Sequence, residues 1–117
     1  QVSVTADGEL ITGPVGDGGI SLDEAQAAAR HCAVNILAQL CQALDGDLNR
    51  LVRCVRLNGF VSSNQGFGDH PKVINGASDL MVEVLGDAGK HTRIAVGASS
   101  LPLNAAVEVD AIFEVRP

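Results

Sequence analysis

The chain contains no Trp and no Tyr, and aromatic residues make up only 3% of its 117 positions. Whatever core it builds must therefore be aliphatic. The 46% hydrophobic content and positive mean hydropathy of +0.21 supply enough such residues for one domain of common size. No uninterrupted apolar run approaches the roughly 20 residues a bilayer span requires, and nothing resembles a signal peptide. A cytoplasmic protein without membrane contact is the expectation. Basic residues are scarce, 8 against 14 acids for a net charge of −6, which argues against a broad phosphate-binding surface and hence against nucleic acid. A small anion pocket stays open, because it needs only one or two local cations. Cysteine is limited to Cys32, Cys41 and Cys54, an odd number without a CxxC pair. Small thiols in a reducing compartment are expected rather than a disulfide or metal site.

The glycine-rich stretch GPVGDGG (13–19) forms neither GxGxxG nor a P-loop, so it gives no support to nucleotide binding. His31, His70 and His91 match no metal-ligand spacing, and no metal or other cofactor is expected. His91 is predicted to be a solvated turn residue near the mouth of any cleft at Arg93. Ser99 and Ser100 have no histidine nearby in sequence to act as a base.

The most secure element begins at Ser21, where Ser21 and Glu24 have the spacing of a capping box. Ala25, Ala29, Cys32, Ile36, Leu40 and Leu44 then recur at helical steps, and Gly46 is placed to end the helix. Leu51–Ser63 alternates and is β-branched. It reads as a strand with Val55, Leu57 and Val61 on one face and Cys54, Arg56, Asn58 and Phe60 on the other. A second helix opens at HPKV, with Pro71 in its first turn and Val73, Ala77, Leu80, Met81 and Val84 directed inward. Two strands, from Thr92 to about Ala98 and from Ala106 to Val115, finish the chain. With a short hairpin in the first residues the order is hairpin, α, β, α, β, β. This predicts an α+β domain, a mixed β-sheet with two helices packed on one face. The chain also opens in what reads as the end of a strand, so a further strand is expected before residue 1.

Alternation in the last two strands groups Arg93 with Ala95 and Gly97, and Glu108 with Asp110, Ile112 and Glu114. The expectation is that all these charges lie on the face left uncovered by the helices. Two readings follow. One is a solvated face with an ordinary cross-strand ion pair. The other is a cleft in which Arg93 grips an anion, with room beside it at Ala95 and Gly97, and an acid manages water or a proton. Arg53 and Arg56 are expected at the surface.

Three segments carry a resemblance to a known family: AQAAARHCAVNILAQL in the first helix, VRLNGFVSS in the next strand, and TRIAVGASSLPLNAAVEVDAIFEV at the end. With Leu101-Pro102 between Arg93 and Glu108, fifteen positions apart, the chain resembles the RidA/YjgF family, also called L-PSP endoribonucleases or translation-initiation inhibitors. GFVSSNQGFGDHPKVINGASDLMVEVLG is similar to a branch carrying a chorismate-mutase-like label. That label concerns fold and does not imply mutase chemistry.

The resemblance implies a homotrimer with ligand clefts between subunits. It also implies hydrolysis of reactive 2-imino acids and their enamine tautomers to 2-oxo acids and ammonia, without a cofactor. Arg93 would bind the substrate carboxylate, Glu108 would position the attacking water, and Asn75 and Ala95 would line the cleft. Ala95 stands where typical deaminases have Cys, and Asp110 where they have Glu. A small-carboxylate-binding trimer without turnover is the alternative; ribonuclease activity is the weakest on charge grounds.

Overall fold

A computed structural model describes residues 1–117. Helix α1 spans Leu22–Ala43, strand β1 Leu51–Ser62, helix α2 His70–Leu85, strand β2 Thr92–Ala98 and strand β3 Val107–Val115. Ser21 Oγ accepts the Glu24 N–H at 3.1 Å and donates to Glu24 Oε1 at 3.2 Å, so the predicted capping box forms. At the other end Gly46 adopts φ 80° and returns its N–H to the Cys41 carbonyl, a left-handed stop that glycine takes without penalty.

The sheet runs β2-β1-β3, with β1 parallel to β2 and antiparallel to β3. The first residues form a loose ribbon: Val4 bridges Leu10, and Val2 bridges Glu108 on the outer edge of β3. Ser3, buried within that ribbon, donates to the Ile11 carbonyl at 2.9 Å and accepts the Val107 N–H at 3.3 Å. Both helices cover one face of the sheet, as the order of elements predicts. The core between the layers is aliphatic: Leu57, Ile74, Met81, Val61, Val73, Val107 and Val109 are fully buried, while Phe67 and Phe113 only flank it.

Two glycines set the spacing of these layers. A Cβ at Gly59 would sit 2.5 Å from the Ile74 side chain, which lies flat over β1 at that point. A Cβ at Gly76 would meet the Gln26 carbonyl oxygen of α1 at 2.1 Å, so the helices cross backbone to backbone there. The crossing is sealed by Gln26 Nε2 donating to the Lys72 carbonyl at 2.7 Å. A helix-interior glycine costs about 1 kcal/mol against alanine, and this contact is what that cost secures.

Two side chains depart from the sequence pattern. Cys54 is fully buried alongside Leu57 rather than on the opposite face, because the register shifts between Cys54 and Arg56. A bulge inserts one residue and so inverts the alternation on one side of it. Val84 is 56% exposed, and the next residue, Leu85, packs against the core in its place. No helix is long and apolar enough to cross a membrane.

Candidate functional site

Arg93 lies opposite Leu57 in the parallel register, and Leu57 is a core residue, so Arg93 points to the helix side of the sheet. The expected grouping of Arg93 with the exposed acids is thereby corrected. Alternation sorted the residues of β2 into the right sets, but it does not say which set the helices cover. Ile94, the apolar alternative, is 42% exposed on the open face. An arginine is tolerated on the helix side because β2 is an edge strand and α2 supplies oxygen atoms above it. Arg93 Nη1 donates to Asn75 Oδ1 at 2.8 Å and to Ser78 Oγ at 3.1 Å, and Nη2 donates to the Pro71 carbonyl at 3.2 Å.

All three acceptors are neutral, and no acid lies within ion-pair distance of the guanidinium. The cation is oriented but not neutralised. Nη1 has spent both protons, whereas Nε–H and one Nη2–H remain, the number of donors a bidentate grip on a carboxylate uses. Ala95 and Gly97 continue the same side of β2. Ala95 packs on the margin of the core, and Gly97 faces a second polar pair, Ser63 Oγ and His70 Nε2, 3.1 Å apart. A Cβ at Gly97 would lie 2.6 Å from His70 Nε2 and 2.8 Å from Ser63 Oγ, so only glycine leaves that pair unblocked.

The acids occupy the other face. Phe60 separates Glu108 from Val96 across the three strands. Asp110 accepts from Asn58 Nδ2 at 2.8 Å, and Asn58 Oδ1 in turn accepts from Arg56 Nε at 2.8 Å. Glu114 pairs with Arg53 at 3.0 Å, both more than half exposed, a solvated cross-strand pair. Glu108 is half-buried between Val2 and Phe60 and makes no side-chain hydrogen bond or ion pair. With β1 between their strands and three residues of register offset, the Arg93 and Glu108 backbones lie on the order of 14 Å apart. Their side chains leave opposite faces of the sheet, so one chain by itself does not bring the two together.

Sequence reasoning missed the serines and histidines. His91 is not a solvated turn residue: Nδ1 lies 2.6 Å from the Gly89 carbonyl and Nε2 2.9 Å from Ser78 Oγ. Ser78 comes from α2 and Ser63 from the end of β1. Neither is adjacent in sequence to its histidine, and only the packing of α2 on β2 reveals the pairs. The thiols are free, Cys32 and Cys54 buried and Cys41 half-buried. Burial pushes the Cys32 thiol up to about 12 and raises Cys54 as well.

Two amphipathic helices on a mixed sheet, with an arginine held ready under the second helix, define a class that comparison makes specific. Residues 6–115 match the family described as "YjgF/chorismate_mutase-like, putative endoribonuclease", and the chain belongs to that family. It is 48% identical over 110 residues to Protein TCP17 of Trypanosoma cruzi, covering 93% of this chain and 68% of that protein. Among solved structures it is similar to Atu1372 of Agrobacterium tumefaciens, a protein of unknown function, at TM-score 0.93 and 47% identity. That match covers 98% of this chain and 74% of the other. A "putative endoribonuclease" of Shewanella oneidensis superposes at TM-score 0.91 with 35% identity, covering 98% and 75% respectively.

Proposed function

We propose that the chain assembles as a homotrimer and hydrolyses 2-imino acids, with their enamine tautomers, to 2-oxo acids and ammonia. The observation that carries this reading is the oriented, unneutralised guanidinium of Arg93, with two donors free for a carboxylate. Glu108 of a neighbouring copy supplies the complementary group. Its carboxylate is unpaired and stands on an unpartnered face where Ile94 and Ile112 are also exposed, 42% and 53%. A copy seated with that face against the free edge of β2 brings a Glu108 to an Arg93, which a single chain does not do.

The chemistry then needs no cofactor. Arg93 binds the substrate carboxylate, and Asn75 fixes Arg93 while offering its own amide to the cleft. Glu108 takes a proton from water as its oxygen attacks C2 of the protonated imine. The carbinolamine collapses as Glu108 returns that proton to nitrogen and takes the hydroxyl proton, the C–N bond breaks to leave the 2-oxo acid, and ammonia carries the last proton away as ammonium. Ala95 and Gly97 leave space for the substrate side chain.

The test is oxo-acid release from 2-iminopropionate or 2-iminobutyrate generated in situ by an amino-acid oxidase. Arg93→Ala is expected to lose about 10- to 100-fold in kcat/KM, the worth of a charge-assisted contact of roughly 1.5–3 kcal/mol. Glu108→Gln is expected to lower kcat with the trimer intact. A folded wild-type trimer that gives no acceleration, yet binds 2-oxobutyrate through Arg93, identifies a carboxylate-binding protein instead.

A further inference from the structure

We propose that Ser78 and His91 are positioning residues for Arg93, the last links of a one-way hydrogen-bond relay that starts at the Gly89 carbonyl. The proposal rests on the reading of Arg93 as a carboxylate clamp. A carbonyl oxygen only accepts, so the proton between Gly89 and His91, 2.6 Å apart, belongs to Nδ1. In the neutral imidazole Nε2 is then an acceptor, and the atom facing it at 2.9 Å is Ser78 Oγ. Ser78 has one hydroxyl proton and gives it to His91, which turns its lone pairs to the Nη1–H of Arg93 at 3.1 Å. Each donor in the series has one acceptor, and the direction of every proton follows from the first.

The anchor of the relay is rigid. Gly89 is buried, and a Cβ there would lie 2.2 Å from the Met81 carbonyl oxygen, so the turn carrying it is pressed directly on the α2 backbone. Ser78 belongs to the same helix, and alternation puts His91 on the same side of its chain segment as Arg93. Asn75 and Ser78, three residues apart on α2, together consume both Nη1 protons. The guanidinium plane is thereby fixed before any ligand arrives, with Nε–H and one Nη2–H left over. Holding a long side chain in its bound geometry removes an ordering cost from binding.

The Ser78–His91 pair also has the spacing of a nucleophile and its base, but the geometry argues for support. Ser78 Oγ already accepts an N–H from a cation, which lowers the electron density a nucleophile would use and points that side of the oxygen at Arg93.

The experiment titrates 2-oxobutyrate into full-length wild type, Arg93→Ala, Ser78→Ala, His91→Ala, the Ser78→Ala/His91→Ala double variant and Ser78→Thr. The 15N shifts of His91 are recorded in parallel. Expected are a roughly tenfold rise in Kd for each single alanine variant, a double variant no weaker than either, and Ser78→Thr within about twofold of wild type. His91 is expected as the Nδ1–H tautomer in wild type and in Ser78→Ala alike, because the Gly89 carbonyl holds that proton, while its Nε2 resonance shifts when the Ser78 hydroxyl is lost. If Arg93→Ala loses binding while Ser78→Ala and His91→Ala keep it, or if their effects add, the relay is wrong and the clamp stands. Binding that is indifferent to Arg93→Ala overturns the clamp and the relay together. Ser78→Thr as weak as Ser78→Ala means the hydroxyl is not the working group, which also overturns the relay.

Discussion

The helix layer meets the sheet with opposite chemistry at its two ends. Over β3, α1 lays Cys32 and Ile36 against Val107 and Val109, and the one polar contact is the Cys32 thiol to the Val107 carbonyl at 3.5 Å. Over β2, α2 lays His70, Asn75 and Ser78 near Gly97, Arg93 and His91, and both Arg93 and His91 are hydrogen-bonded to the helix. The difference lies in which strand is an edge. β3 has the N-terminal ribbon beyond its first half, so its helix face is closed and dry at Val107 and Val109 and opens only farther along, toward Ala111 and Phe113. β2 has nothing beyond it, so polar groups there remain reachable by a ligand. One end secures the fold and the other is free for binding.

The largest effect should come from exchanging the chemistry of the two ends. Cys32→Asp places a carboxylate at a fully buried position facing the Val107 carbonyl oxygen, which has no proton to give it. An unpaired buried charge costs several kcal/mol, about 4 or more, so the variant is expected to be unfolded by circular dichroism at neutral pH. Ser78→Ala, at the polar end, should cost about 1 kcal/mol by urea denaturation. Similar losses at both sites would erase the distinction between a dry end and a wet one.

A second, somewhat smaller effect needs no mutation. Because burial raises Cys32 to about 12 from 9.0, the native chain keeps a proton there that the unfolded chain releases. Above pH 9 the unfolded state binds fewer protons, so stability falls as pH rises toward 12. Three pKa units correspond to about 4 kcal/mol at the top of that range, and the raised Cys54 acts in the same direction. Urea midpoints measured from pH 8 to 11 should decline, with a shallower decline in Cys32→Ala. Equal slopes in the two proteins would mean that the α1–β3 seam admits water.

The dry end was the more legible in sequence. Helical steps from Ala25 to Ile36 and alternation from Val107 to Phe113 mark inward faces that nothing contradicts, because apolar burial needs no particular partner. The polar end was legible only as residues. Arg93 stands out in its strand, yet the face it takes depends on Asn75, Ser78 and the Pro71 carbonyl, which belong to an element 15 to 22 positions away. Hydrogen bonds are made to specific atoms, and periodicity does not report which atoms meet. Cys54 was misplaced for a related reason, since a bulge leaves no mark in a run of β-branched residues.

The smallest expected effect concerns the seam where the two helices join. Arg30 of α1 and Glu83 of α2 pair at 3.0 Å on the outer surface, with side chains 50% and 59% exposed. Two long side chains in water gain little by pairing, so a double-mutant cycle of Arg30→Ala and Glu83→Ala should give a coupling of about 0.5 kcal/mol that fades in 1 M salt. The contact that holds the seam is instead the backbone approach at Gly76, where a Cβ would meet the Gln26 oxygen at 2.1 Å. Gly76→Ala forces α2 off α1 and should cost about 3 kcal/mol. It should also weaken 2-oxobutyrate binding, because Asn75 and Ser78 move with the helix that carries them. A coupling above about 1.5 kcal/mol for the ion pair, or a silent Gly76→Ala, would put the joint at the surface, with the two ends held in register by charge.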